Sequence, residues 1–175
     1  MESEKVCGIR LTGDKDRECS VAVLGEELET FSTEDDREIV ERVSEERPAV
    51  VAFTNPHTRR TEKGFREDEE ELVDEGYSFL PPSMFENDLL ERTEFIKKSI
   101  QQNYRPEFIE TRPEVSSEIL GIENDRDLEM LDMDTGEIES VGEFEAVMAA
   151  LTARMYTEND YEDKGFIVPK KPGSR

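Results

Sequence analysis

A chain of 175 residues with 45 acidic and 22 basic side chains has a formal charge of −23, with 38% charged and 34% hydrophobic residues. So large an excess of negative charge disfavours tight, sequence-independent nucleic-acid binding, because each phosphate would approach a like-charged surface. No apolar run approaches the length of a membrane span and MESEKVCGIR lacks the form of a secretion signal, so a cytoplasmic protein with no membrane contact is expected.

The apolar residues are clustered and periodic, which distinguishes a folded domain with an acidic coat from a disordered chain. The length suits a single domain, 1–175, whose basic tail over 170–175 is expected to be mobile. Like charge at this density repels itself unless screened, and the screening length falls to about 3 Å at about 1 M salt. The composition therefore points to a salt-adapted cytoplasm, as in a halophilic archaeon; the alternative is an ordinary acidic protein. Cys7 and Cys19 show neither CxxC nor metal-type spacing and are expected to be reduced and half-buried.

Lys5 to Leu11 alternates loosely through Val6, Ile9 and Leu11 and predicts a first strand, closed by the polar turn Thr12-Gly13-Asp14-Lys15-Asp16. Cys19 to Leu24 predicts a second strand, Gly25-Glu26 a tight turn and Leu28 to Phe31 a third, an antiparallel meander. Thr33 reads as a helix cap, followed by Glu34, Asp35 and Asp36, whose charge suits the helix dipole. Ile39, Val40 and Val43 share a face of that helix, and Pro48 closes it. Ala49 to Phe53 is a continuous apolar run stopped at Thr54-Asn55-Pro56, the mark of a strand buried on both faces. The strand–helix–strand unit implies a right-handed crossover to a parallel neighbour.

A polar segment beginning at His57 leads to an acidic helix over Phe65 to Glu75, ended by Gly76. Ser83-Met84-Phe85-Glu86 fits a capping box that opens a helix through Leu89, Leu90, Ile96 and Ile100. Glu107 to Glu110 predicts another strand, stopped by Pro113, and Val115 to Leu120 a short helix ended by Gly121. Ile122 to Ser140 reads as a charged loop with a weak helical turn. Val141-Gly142 precedes a last helix in which Phe144, Val147, Met148, Leu151 and Met155 recur at helical spacing. Ala146, Ala149, Ala150 and Ala153 let that helix approach a neighbour closely, and Gly165 to Pro169 forms a final extended piece.

The predicted fold is α/β: a mixed five-stranded sheet, three antiparallel strands then parallel additions, with helices on both faces. This is the order of an RNase H-like fold. Several pieces carry the likeness further. VCGIRLTG at 6–13 resembles a first strand reading GIDLAG, and VVAFTNP at 50–56 resembles VAIDAP. FIETRPEVSSEILG at 108–121 is similar to VIEVHPxxSxxxLG, and FEAVMAALTA at 144–153 to DALVAALTA preceded by one residue. Together with GYSFLPP at 76–82 and KGFIVPK at 164–170, they make the chain resemble a family of predicted nucleases with an RNase H-like fold.

That resemblance implies two Mg²⁺ or Mn²⁺ ions held by about four carboxylates, one ion activating water and the other stabilising the leaving oxygen. Carried over position by position, it puts Arg10 and Thr54 where two aspartates would stand, keeps Glu110, and replaces a third aspartate by Glu145. An arginine beside a metal site repels the metal, so an ion-pair cluster is expected in its place, with Arg10 forked onto Glu110 or Glu145. Catalysis is then weak or lost, no cofactor is expected, and binding of a nucleic acid or partner protein, or a regulatory role, remains. The alternative is an active nuclease that holds Mg²⁺ or Mn²⁺ through Glu110 and Glu145, with Asp14 or Asp16 folding back to rebuild the site.

Other candidates come from the residues alone. His57 follows a strand end, where it is either a general base beside Thr54 or a solvated loop side chain. Arg59, Arg60, Lys63 and Arg66 form the densest basic cluster, either a phosphate or nucleic-acid contact or ion pairs to Glu62, Glu67 and Asp68. The acidic runs at Glu67 to Glu71 and Glu123 to Asp134 lack the ordered pattern of a calcium loop and read as solvated faces.

Overall fold

The computed structural model describes residues 4–57, 64–131, 133–136 and 138–173. Alternating side chains in β1 (Val6–Arg10), β2 (Cys19–Leu24) and β3 (Leu28–Thr33) build the antiparallel meander, with Ile9 opposite Val21 and Val21 opposite Phe31. β4 (Val50–Phe53) adds parallel to β1, and β5 (Glu107–Glu110) parallel to β4, giving the order β3-β2-β1-β4-β5. Every residue of β4 is buried, as its uninterrupted apolar run requires.

The pleat sorts the strands onto two faces. Cys7, Ile9, Val21, Val51 and Phe53 pack against Ile39 and Val43 of α1 (Asp36–Glu46) and Ile96 and Ile100 of α3 (Asn87–Gln101). Val6, Ala22, Val50, Ala52 and Ile109 pack on the other side against α6 (Val141–Thr157). Gly8 is what lets α6 lie so close: a Cβ there would collide with the Ala146 carbonyl and sit 2.6 Å from the Ala150 nitrogen. The alanines of α6 supply the matching low profile.

α2 (Glu67–Asp74) and a 3-10 turn at Pro82–Met84 lie between β4 and α3; α4 (Pro113–Leu120) and α5 (Asp125–Glu129) lie between β5 and α6. A separate hairpin, β6 (Tyr161–Asp163) and β7 (Ile167–Pro169), follows α6, so the extended piece at Gly165 to Pro169 is its turn and second strand.

Several boundaries differ from expectation for local reasons. Thr33 ends β3, and Asp35 caps α1 by accepting from the Arg37 N–H at 2.9 Å. Ser83 does not open a helix: its hydroxyl accepts from the Gly64 N–H at 3.1 Å, and α3 starts only after Glu86. Pro113 is the first residue of α4 rather than only the stop of β5, a position where its missing N–H costs nothing. Val141 already belongs to α6, capped by the Ser140 hydroxyl accepting from the Glu143 N–H at 3.1 Å. Cys7 and Cys19 are free and fully buried, not half-buried; burial pushes the Cys7 thiol up, with the Glu46 carboxylate adding to the effect.

Candidate functional site

Because β1, β4 and β5 run parallel, their carboxyl ends lie along one edge of the sheet. Arg10 ends β1, Thr54 follows β4 and Glu110 ends β5. The start of α6 reaches the same edge and carries Glu145 there, just past its first turn.

The structure brings Arg10 and Glu145 together, with Nε 3.2 Å from Oε2 and each side chain about one-third exposed, 34% and 35%. The contact uses one nitrogen, so it is a single hydrogen-bonded ion pair and not a fork. Gly142 makes room for it: a Cβ there would lie 2.8 Å from the Ser20 hydroxyl and 3.7 Å from Arg10 Nη1. Glu143, in the first turn of α6, is buried and accepts from the Ser32 hydroxyl at 2.7 Å and the Glu139 N–H at 2.9 Å, which fixes this end of the helix on the sheet.

Glu110 goes elsewhere, and the register explains why. It aligns with Phe53 and, through Phe53, with Ile9, residues of the α1/α3 face, whereas Arg10 shares the α6 face with Gly8. Arg66 Nη2 donates to Glu110 Oε2 at 3.0 Å and to Glu69 Oε2 at 2.8 Å, and Arg66 Nε lies 2.8 Å from Glu69 Oε1. Arg112 Nη2 reaches Glu110 Oε2 at 2.8 Å, and its Nη1 donates to the Thr111 carbonyl at 2.9 Å. These four side chains are between 0% and 10% exposed. The Arg112 guanidinium also lies 4.7 Å from the Phe85 ring centre and 4.9 Å from that of Phe166, which supplies cation–π attraction in place of water. Burial pushes the Glu110 carboxyl up against the pull of Arg112 and Arg66. Burial also opposes the Arg66 charge, but Glu69 and Glu110 outweigh it and hold that guanidinium above its ordinary value.

Arg66 is therefore a buried ion-pair partner of Glu69 and Glu110, which corrects its expected place on a phosphate-binding surface or beside Glu67 and Asp68. Arg59, Arg60 and Lys63 lie outside the described residues. Sequence reasoning missed Glu69 and Arg112, because neither spacing nor charge marks an arginine whose ring partners are distant in the chain.

His57 is half-buried beside the stacked Phe53 and Phe108 rings, and its Nδ1 lies 3.0 Å from Lys97 Nζ. Burial first, then the Lys97 charge, lowers its pKa from 6.5 to about 4, so the ring is neutral near pH 7 and accepts from the ammonium. None of the hydrogen bonds among the described residues joins Thr54 to His57; the Thr54 N–H donates to the Ile9 carbonyl at 3.2 Å. A base-activated threonine is not assembled. Asp14 and Asp16 do not fold back either: Asp14 Oδ1 accepts from the Asp16 N–H at 2.9 Å within the β1–β2 turn, and Asp14 lines a cleft against α3.

The donor set does not fit the dications that the family resemblance implies. A hard cation needs several oxygens free to converge on it. Here Glu145 faces Arg10, Glu110 lies between two guanidiniums, and the other two expected positions are arginine and threonine. Among the described residues, no group of three or more His, Cys, Asp or Glu side chains is placed to hold a metal ion. Glu145 also lines a groove of about 640 Å³ with Glu114, Glu123, Asp125 and Glu139, a wall that repels phosphate.

A 3-2-1-4-5 mixed sheet with helices on both faces and polar side chains along its carboxyl edge is an RNase H-like architecture. No protein-family model and no curated protein matches the chain. Among solved structures it is similar to Thermus thermophilus RuvC in complex with a Holliday junction substrate, with 13% identity over 95% of this chain and 99% of that one and a TM-score of 0.51. A second structure of Thermus thermophilus RuvC matches with 10% identity over 94% and 99% and a TM-score of 0.50. At such identities the likeness shows the fold alone. No helix among the described residues is long and apolar enough to cross a membrane.

Proposed function

We propose that this RNase H-like protein is a degenerate relative of metal-dependent nucleases, with phosphodiester hydrolysis weak or lost and a binding or regulatory role in its place. The observation that carries the reading is the Arg10–Glu145 ion pair, 3.2 Å long, at the edge where the resemblance expects carboxylates around a dication. A fixed guanidinium there competes with a metal for Glu145 and repels it. The carboxylate-lined groove beside Glu145 favours a protein partner with basic side chains over a nucleic acid.

The test is cleavage of labelled DNA, RNA, RNA–DNA hybrid and a four-way DNA junction, the last because a RuvC neighbour is seen with a Holliday junction substrate. Assays run at about 2 M KCl, where surface charge is screened, with Mg²⁺ or Mn²⁺. No cleavage by the folded protein is expected. Metal-dependent cleavage that disappears in Glu145→Gln would overturn the reading, because it would mean that Glu145 leaves Arg10 to hold a metal.

A further inference from the structure

Arg10 and Thr54 account for only part of the disagreement with a metal centre; Glu110 accounts for the rest. We propose that the buried quartet Arg66–Glu69–Glu110–Arg112 withdraws Glu110 from metal chemistry altogether, so that acidic side chains restored at positions 10 and 54 would bind a dication without it. The inference rests on the reading above and goes beyond it: the site is not merely short of two carboxylates, but its one retained strand carboxylate has been given another task.

Three observations carry it. Glu110 Oε2 is reached by two guanidinium nitrogens, Arg66 Nη2 at 3.0 Å and Arg112 Nη2 at 2.8 Å, so a dication on this carboxylate would stand beside two fixed cations. The quartet is also closed by protein. Phe85 and Phe166 sit over Arg112, and a Cβ on Gly165, in the β6–β7 turn, would fall 2.9 Å from Arg66 Nε. Finally, the four charges join the start of α2, the end of β5 and the start of α4, so moving Glu110 toward Arg10 would break the junction of three elements. Two anions and two cations cancel inside the quartet; adding a dication would leave it with uncompensated buried charge.

The experiment titrates Mn²⁺, followed by its EPR signal, into the full chain at about 2 M KCl. Wild type tests the underlying reading: stoichiometric Mn²⁺ lost in Glu145→Gln would overturn that reading and leave the rest of the comparison intact. The inference is tested in R10D/T54D with and without Glu110→Gln. Equal Mn²⁺ affinity within about twofold supports it; a larger loss on removing the Glu110 charge, or no binding by either variant, overturns it. Should Glu110→Gln unfold that variant, the anomalous signal of Mn²⁺ in crystals of R10D/T54D decides. An ion within roughly 2.1–2.3 Å of a Glu110 oxygen overturns the inference, and one bound elsewhere supports it. Should R10D/T54D itself not fold, a double-mutant cycle of Arg66→Gln and Glu110→Gln in wild type decides. Coupling of about tenfold or more in the unfolding constant supports the quartet, and coupling under about twofold overturns it.

Discussion

Glu110 and Glu145 both face arginine, yet water separates their energetics. Glu145 and Arg10 are each about a third exposed, 35% and 34%, so solvent already satisfies much of their charge. An exposed pair of this kind contributes about 0–1 kcal/mol, and Glu145→Gln should change stability by no more than that. Glu110 is 4% exposed, and replacing it by glutamine leaves Arg66 and Arg112 buried with only Glu69 to balance them. Removing one partner from a buried set costs about 3–5 kcal/mol, so urea unfolding should put Glu110→Gln several-fold further from wild type than Glu145→Gln. Equal effects would mean that the quartet is far wetter than its geometry implies. That Arg10 would meet a carboxylate was legible in the sequence, because the aligned motifs meet at one edge of the sheet, but the sequence left Glu110 and Glu145 both open and implied a fork that the single Nε contact does not make. Arg112 was not, because what stabilises it is two phenylalanines from elsewhere in the chain, Phe85 and Phe166.

Among elements, α6 and β1 form the tightest seam. Val147, Met148 and Leu151 face apolar strand residues there, but the approach distance is set by Gly8. Gly8→Ala adds a methyl where the backbone of α6 already stands, and neither strand nor helix backbone can yield cheaply. It should destabilise by about 1–3 kcal/mol or more, measured as a lower urea midpoint at unchanged slope. An unchanged midpoint would show that α6 can shift outward without loss. The strands and the alanine-lined helix were readable because period-two and helical patterns follow directly from backbone geometry. Helix starts were less so. Thr33 and Ser83 both have the side chain of a cap, but Thr33 still pairs in β3 opposite Cys19, and Ser83 follows Pro82 in a 3-10 turn. The β6–β7 hairpin was half seen, since only Ile167 to Pro169 carries an apolar run; Tyr161–Asp163 is mostly polar.

At the scale of the molecule, charge dominates. A net −23 is spread over a surface whose exposed ion pairs, such as Lys5–Glu46 and Lys171–Glu75, neutralise only a part of it. Repulsion of that kind acts over about 10 Å at 0.1 M salt and about 3 Å at 1 M. The thermal midpoint should therefore climb steeply as KCl is raised to about 1 M and then flatten, as read by circular dichroism. A midpoint indifferent to KCl would remove the argument for a salt-adapted surface. The groove beside Glu145 should bind basic partners less well over the same range, because the same ions screen it.

The placement of α6 also governs the order in which the protein can be made. The meander β1–β2–β3 is local and can pair as soon as Thr33 has emerged from the ribosome, whereas β4 and β5 must wait to reach back to β1. The helix that covers β1, β2 and β4 is encoded by residues 141–157, close to the end of the described chain. During synthesis the residues of one face of the sheet, Val6, Ala22, Val50 and Ala52, are thus made before the helix that covers them. A sheet that pairs at that stage has an open apolar side, and the acidic coat then opposes contact between neighbouring nascent chains.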